Sequence, residues 1–210
     1  MHCLSRSGKR MKLYYTHASP FARSARIVVR EHGLEGKVDE VVSHPFDGAE
    51  DFIKANPLGK VPCLVLDNGQ AIMDSEVICA YLDRELGDGR LGRALEADWA
   101  VRTFYSVCSG LLDTLVLLRV EKVREAEGLR SAFWWGRYQA AIARTLDYLE
   151  AHTAALPDVV SLAQINLACA INYIGLRHAE IDWRHGRSAL ARLVDQLEQR
   201  ESLVATRLHD

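Results

Sequence analysis

The amino-acid sequence predicts an α+β protein in two parts, a small mixed four-stranded sheet with helices followed by an all-helical bundle. Three observations predict it. Up to residue 86, short β-rich runs alternate with helix-start and helix-stop signals, the pattern of a sheet with helices packed on it. Residues 87–93 then carry Gly87, Gly89 and Gly92 beside Asp88, a composition that reads as a linker. From residue 94 to 210 the strand signals stop, and four stretches keep helical spacing of their apolar residues.

Residues 12–16 form the first β-rich run. Ser19-Pro20 then supplies a helix cap with proline at the first helical position. The helix continues through Ile27, Val28 and Val29 until Gly33 stops it. Residues 38–42 are a second strand, and 47–56 a short helix ended by Pro57. Residues 62–66 and 70–73 pair as a hairpin through Asp67-Asn68-Gly69, since Asn-Gly suits a two-residue turn. Residues 75–86 read as an amphipathic helix with Val77, Ile78, Tyr81 and Leu82 on one side. In the second part, 94–124, 131–152, 161–178 and 188–200 read as helices, with Leu156-Pro157 as a break. Ser161-Leu162-Ala163-Gln164 has the form of a capping box.

Composition narrows the function classes. The 210 residues are enough to bury a proper core. The 26 basic and 28 acidic residues give a net charge of −2. No basic stripe offers a footprint for nucleic acid. No apolar run approaches the roughly 20 residues of a membrane span. Five cysteines, at positions 3, 63, 79, 108 and 169, form no C-x-x-C pair. Scattered thiols of this kind behave as small buried hydrophobes and suit a reducing cytoplasm. The eight histidines form no metal-ligand motif, so no metal is expected. Residues 1–10 read as an extension ahead of the first strand.

The stretch Asn56-Pro57-Leu58-Gly59-Lys60-Val61-Pro62 places a proline at a strand start, which with edges and bulges is where its missing N–H is tolerated. A cis Val61-Pro62 bond turns the chain and leaves the Val61 backbone unpaired, ready to bind an extended peptide as an added strand. Asp74-Ser75 opens a helix where hydroxyl and N–H groups favour an anion. Together they describe a site for a short peptide with a free carboxylate.

Lys12-Leu13-Tyr14-Tyr15, Ser19-Pro20-Phe21-Ala22-Arg23, the run 56–66 and Asp74-Ser75 resemble the glutathione S-transferases, and most of all a bacterial serine-type (YibF-like) branch. The resemblance extends from Met11 to Leu208 and is strongest before Leu86. It implies a thioredoxin-like first domain over 11–86, an all-helical domain over 94–210, glutathione as co-substrate, and a homodimer. It also implies roles. Ser19, from its residues alone a plain helix cap, becomes the donor that stabilises the glutathione thiolate, with Thr16 as the nearby alternative hydroxyl. A free thiol has a pKa of about 8.5, and lowering it by about two units takes roughly 2.7 kcal/mol. Phe21 is read as packing or as a glutathione contact. Arg23 either adds positive potential near the thiolate or joins Arg26 and Arg30 on a solvated face.

By the same resemblance, Val61 pairs with the cysteinyl part of glutathione, cis-Pro62 exposes it, and Lys60 meets the glycyl carboxylate, with His44 as the alternative. Asp74 and Ser75 hold the γ-glutamyl end. The second-substrate pocket is expected between the domains, lined by Tyr15, His17, Trp99, Tyr105, Ser106 and Ser109. Gln164 stands where the family usually has an acidic residue. Two other readings remain open: a glutathione-dependent thiol oxidoreductase, which wants a cysteine where Ser19 stands, and a non-catalytic glutathione-binding module on the same fold.

Overall fold

A computed structural model of the chain describes residues 10–210; the expected extension, apart from Arg10, lies outside the described residues. The sheet has the order β2-β1-β3-β4, with β1 at Met11–Tyr15, β2 at Val38–Val42, β3 at Cys63–Val65 and β4 at Ala71–Met73. β1 runs parallel to β2 and antiparallel to β3, with Tyr15 opposite Val42 and Tyr14 opposite Cys63. β3 is antiparallel to β4, with Cys63 opposite Met73. The far ends of β1, β2 and β4 and the start of β3 therefore lie along one end of the sheet. The site is built there.

Local chemistry explains the elements. Helix α1, Pro20–Glu31, starts at Ser19, whose Oγ accepts from the Ala22 N–H at 3.1 Å. It stops where Gly33 adopts φ +61°, a conformation that costs glycine nothing. The Asn68-Gly69 hairpin closes with the Leu66 N–H donating to Gln70 at 2.8 Å. Helix α2 is shorter than the sequence suggests, Glu50–Ala55. Asp47 N–H bonds back to His44, and Gly48 takes φ +64°, so 44–49 is a turn. Helix α3 spans Ser75–Tyr81 and widens into a π turn over Leu82–Leu86. Ile78 and Leu82 are buried, but Val77, expected on the same side, is 53% exposed.

In the second part, the first expected helix is two. Helix α4, Arg93–Ala97, ends at Asp98, which turns extended and caps α5, Trp99–Ala126, by accepting from Ala100 at 2.7 Å. Helices α6, Ala132–His152, α7, Leu162–Arg177, and α8, Ser188–Leu197, follow the predicted stretches. A further short helix, α9 at Glu201–Val204, carries too few residues to show a period. The capping box forms with Gln164 accepting from the Ser161 N–H at 2.7 Å while its amide donates to Pro157 at 2.9 Å. An acidic residue lacks that second donor, so glutamine is locally suited here.

α7 is the centre of the bundle, with residues 161–171 all buried. α5 packs on α6 and α7, and α1 packs on α7 and α9, joining the two parts. By length and composition α5 is apolar enough to pass for a membrane span, contrary to the sequence expectation. Its buried side, from Val101 through Phe104, Leu111 and Leu115 to Leu118, lies in the common core. Cys63, Cys79, Cys108 and Cys169 are free and buried. Burial pushes Cys63 up to about 11, and Cys79 and Cys169 up to about 12.

Candidate functional site

Three segments converge at the end of the sheet described above. The loop after β1 delivers Ser19, the turn before β3 delivers Val61-Pro62, and the exit of β4 delivers Asp74-Ser75.

Ser19 is half-buried. Its oxygen accepts from Ala22, which leaves the hydroxyl proton free to donate. Capping and donating are thus compatible in one side chain. Pro20 has no N–H and Ala22 has spent its own, so Phe21 offers the remaining backbone donor of that first turn. The Phe21 side chain itself packs against the core. Thr16 accepts the Ser19 N–H at 3.2 Å through its backbone.

The Val61-Pro62 bond is cis. Among the described residues, neither Val61 backbone group takes part in a turn, loop or side-chain hydrogen bond. The preceding turn is held by Asn56, which is 2% exposed. Its amide donates to the Lys60 carbonyl at 2.6 Å and accepts from the Leu58 N–H at 3.0 Å, while its carbonyl takes the Gly59 N–H at 2.9 Å. One buried amide thereby sets the shape of 56–60, a role that the residue type alone did not announce. Lys60 and His44 are exposed.

Asp74 sits at φ +74°. That left-handed conformation costs a non-glycine residue on the order of 1–3 kcal/mol. It is stabilised by Asp74 Oδ1 accepting from the Glu76 N–H at 2.8 Å. A polar chain then links this turn to the helical part: Ser109 of α5 donates to Glu76, and Asn166 of α7 donates to Ser109 at 2.8 Å. Asp113, one turn further along α5, faces the same place. Burial pushes its carboxyl up, Lys60 opposes that and Asp74 adds to it. Glu76, Asn166 and Asp113 were not singled out from sequence; helical spacing from Ser109 was the signal for Asp113.

Comparison with known proteins decides the family. Residues 18–85 match the glutathione S-transferase N-terminal domain and residues 132–196 the C-terminal domain. The chain is 32% identical over 201 residues to the GST-like protein YibF of Escherichia coli (strain K12), covering 93% of this chain and 98% of that one. The chain belongs to the glutathione S-transferase family. A family member from Pseudomonas fluorescens Pf-5, solved with bound glutathione, superposes with TM-score 0.88 at 33% identity, covering 95% of this chain and 100% of that one. A glutathione S-transferase from Methylobacterium radiotolerans, in complex with glutathione sulfonate, gives 0.85 at 31%, covering 96% of each.

Within this transferase-family chain the remaining sequence candidates fall in different places. Tyr15 is 6% exposed beneath the Arg26 guanidinium, 4.2 Å from the ring centroid. His17 lies edge-on to it at 5.1 Å. Tyr105 is 9% exposed, and burial holds its phenol protonated. It lines a cavity of about 300 Å³ with Glu76, Val77, Ala80 and Leu162. Ser109 spends its hydroxyl proton on Glu76. Ser106 is exposed, and Trp99, at the very start of α5, is 81% exposed.

Arg23 corrects the expectation of a solvated face. It is 1% exposed and donates to the Leu203 carbonyl at 3.1 Å, with Glu198 at 3.6 Å. It sits in the junction between the two parts. Arg26 and Arg30 pair with Glu40, so the three arginines form no solvated face.

No metal-ligand motif was read in the sequence. The fold does bring His32, Asp83 and Asp88 together, with potential ligand atoms within 4.8 Å. Asp83 already accepts from His32 at 2.8 Å and from the Leu91 and Gly92 N–H groups at 3.1 and 2.8 Å. That carboxylate is a clasp for the segment between the two parts.

Proposed function

We propose that this chain is a serine-type glutathione S-transferase that binds glutathione, stabilises its thiolate and adds it to a small electrophile. The observation that carries the reading is the convergence of Ser19, Val61-Pro62 and Asp74-Ser75 at one end of the sheet, in a family whose solved members include glutathione complexes. Glutathione lies extended. Its cysteinyl backbone pairs with the unpaired Val61 groups. Its γ-glutamyl carboxylate meets the Ser75 hydroxyl and the neighbouring N–H groups, while the second oxygen of Asp74 takes the ammonium. Lys60 meets the glycyl carboxylate.

The sulfur then falls beside Ser19. The hydroxyl proton and the helix start stabilise the anion; Ser19 is a donor and removes no proton itself. The electrophile enters from the side of α5 that carries Asp113. The thiol proton passes to water. Attack then forms the carbon–sulfur bond and expels the leaving group, or, with an activated alkene, gives a carbanion that takes a proton from water to become the saturated adduct. Thiolate stabilisation and proximity carry the rate gain. The protein works as a homodimer in the cytoplasm. The oxidoreductase reading is disfavoured, since Ser19 heads α1 and Cys63 is fully buried.

The test is a difference absorbance titration near 240 nm with glutathione against pH. Wild type gives a thiolate band with an apparent pKa about two units below free glutathione, and Ser19→Ala loses most of that shift while still binding. A chromogenic aryl halide then reports conjugation, reduced in Ser19→Ala by about a hundredfold. Saturable binding with no shifted thiolate identifies a binding module instead. No binding overturns the ligand.

A further inference from the structure

Four residues, 16–19, join β1 to α1 and carry Ser19. Within the loop, the Ser19 N–H donates to the Thr16 carbonyl at 3.2 Å. Its outer contact comes from the opposite end of the numbering. The His209 N–H donates to the His17 carbonyl at 3.4 Å, and the two imidazoles stack with centroids 4.1 Å apart and planes 24° apart. On its other side His17 meets the Tyr15 ring, with the phenol oxygen 3.5 Å from Nε2. His17 is therefore held between a core tyrosine and the segment that follows α9.

That segment is itself anchored at both ends. Thr206 donates to the Ser202 carbonyl at 2.7 Å, and buried Arg23 holds the Leu203 carbonyl. Beyond His209, Asp210 pairs with Arg177 at the end of α7. Burial first, then His209 and Arg26, lower the pKa of His17 against the pull of Glu40. A neutral ring suits stacking on a second imidazole.

We propose that residues 206–210 are a strap that positions the Ser19 loop, with His209 as the positioning residue that clasps His17. His209 acts through the loop and does not itself touch the reacting sulfur. The geometry of Ser19 is set by the loop backbone, and a hydrogen bond to a thiolate depends on that geometry. The strap thus makes thiolate stabilisation in the first part depend on the helical part. This consequence rests on the glutathione reading; the strap does not.

Two measurements on the full chain separate them. In the first, without ligand, hydrogen exchange of the 15–21 amides is compared in wild type, His209→Ala and His209→Phe. His209→Ala is expected to exchange about fivefold faster there, and His209→Phe, which keeps a stacking ring, near the wild-type rate. Equal rates in wild type and His209→Ala overturn the strap. In the second, the 240 nm titration with glutathione, His209→Ala is expected to lower the thiolate fraction at pH 7 about threefold, with His209→Phe restoring it. A merely structural role moves the thermal midpoint and leaves that fraction alone, which overturns the positioning role. A wild type with no thiolate band overturns the glutathione reading, and the exchange comparison still decides the strap.

Discussion

His178 closes α7 with a fully buried ring whose Nε2 donates to the Leu115 carbonyl at 3.0 Å, while Nδ1 has no hydrogen-bond partner among the described residues, the Glu180 carboxylate standing 3.9 Å away. That is the pattern of a neutral tautomer, since a charged ring brings a second buried proton with no acceptor at hydrogen-bond distance. Burial, then Lys122, lower its pKa to about 4, against the Leu115 carbonyl and Glu180. The unfolded chain takes up this proton below about 6.5, and the folded one only below about 4. Between those values the unfolded state binds more protons, so stability is present above the window and is lost as pH falls through it. Urea unfolding of wild type should lose about 2 kcal/mol from this group between pH 7 and pH 5. His178→Gln keeps a donor for Leu115 and should lose that part of the slope; identical slopes would refute the assignment. Asn56 is the other residue on which much depends. Asn56→Ala leaves the Lys60 carbonyl and the Leu58 N–H without their partner, costing about 1–3 kcal/mol. Calorimetry should also show glutathione affinity falling about tenfold, because the turn presenting Val61 loses its shape.

Among the elements, those announced by local chemistry were legible. Ser19-Pro20, Gly33, Asn68-Gly69 and the Ser161–Gln164 box each act within four residues, and each appears where its residues place it. Elements shaped by distant partners were not. The end of α3 reads as continuous helix, yet the chain widens at Leu82–Leu86, where the Asp83 carboxylate is buried against His32 and the backbone of Leu91 and Gly92. Nothing in the pattern of 75–86 foretells a bond to a residue at position 32. The glycine-bearing segment that reads as a loose connection is clasped by that same carboxylate. Gly87 is also required sterically, since an added Cβ would lie 2.6 Å from the His32 ring. Asp83→Ala strands two buried N–H groups at once, so urea unfolding should show a loss of about 3 kcal/mol. A loss under about 0.5 kcal/mol would mean that the segment holds itself.

Across the whole molecule, the junction between the two parts carries a network of polar contacts. Glu31 at the end of α1 accepts from Arg200, Ser202 and Arg90, and these contacts hold its carboxyl below the usual range despite burial. Arg200 and Glu31 stand 169 positions apart, beyond the reach of any period or spacing rule. The candidate site was legible for the opposite reason: each of its three segments is a short signal, although their convergence was supplied by family resemblance. Arg23 belongs to the junction, with Nε and Nη1 buried and without a hydrogen-bond partner among the described residues. Removing one partner of a buried charged pair leaves the other uncompensated and is destabilising. Arg23→Met takes the donor from the Leu203 carbonyl and the cation from Glu198, so calorimetry should show the thermal midpoint lowered by about 4 °C or more; an unchanged or raised midpoint would mean that the contact contributes nothing net. Finally, a catalyst that gathers electrophiles beside an activated sulfur exposes its own sulfur to attack. Here the four described cysteines are walled into the core and kept fully protonated at neutral pH. Under the proposed function, the thiol that reacts is the one that arrives and leaves with each turnover, and the protein is spared becoming its own substrate.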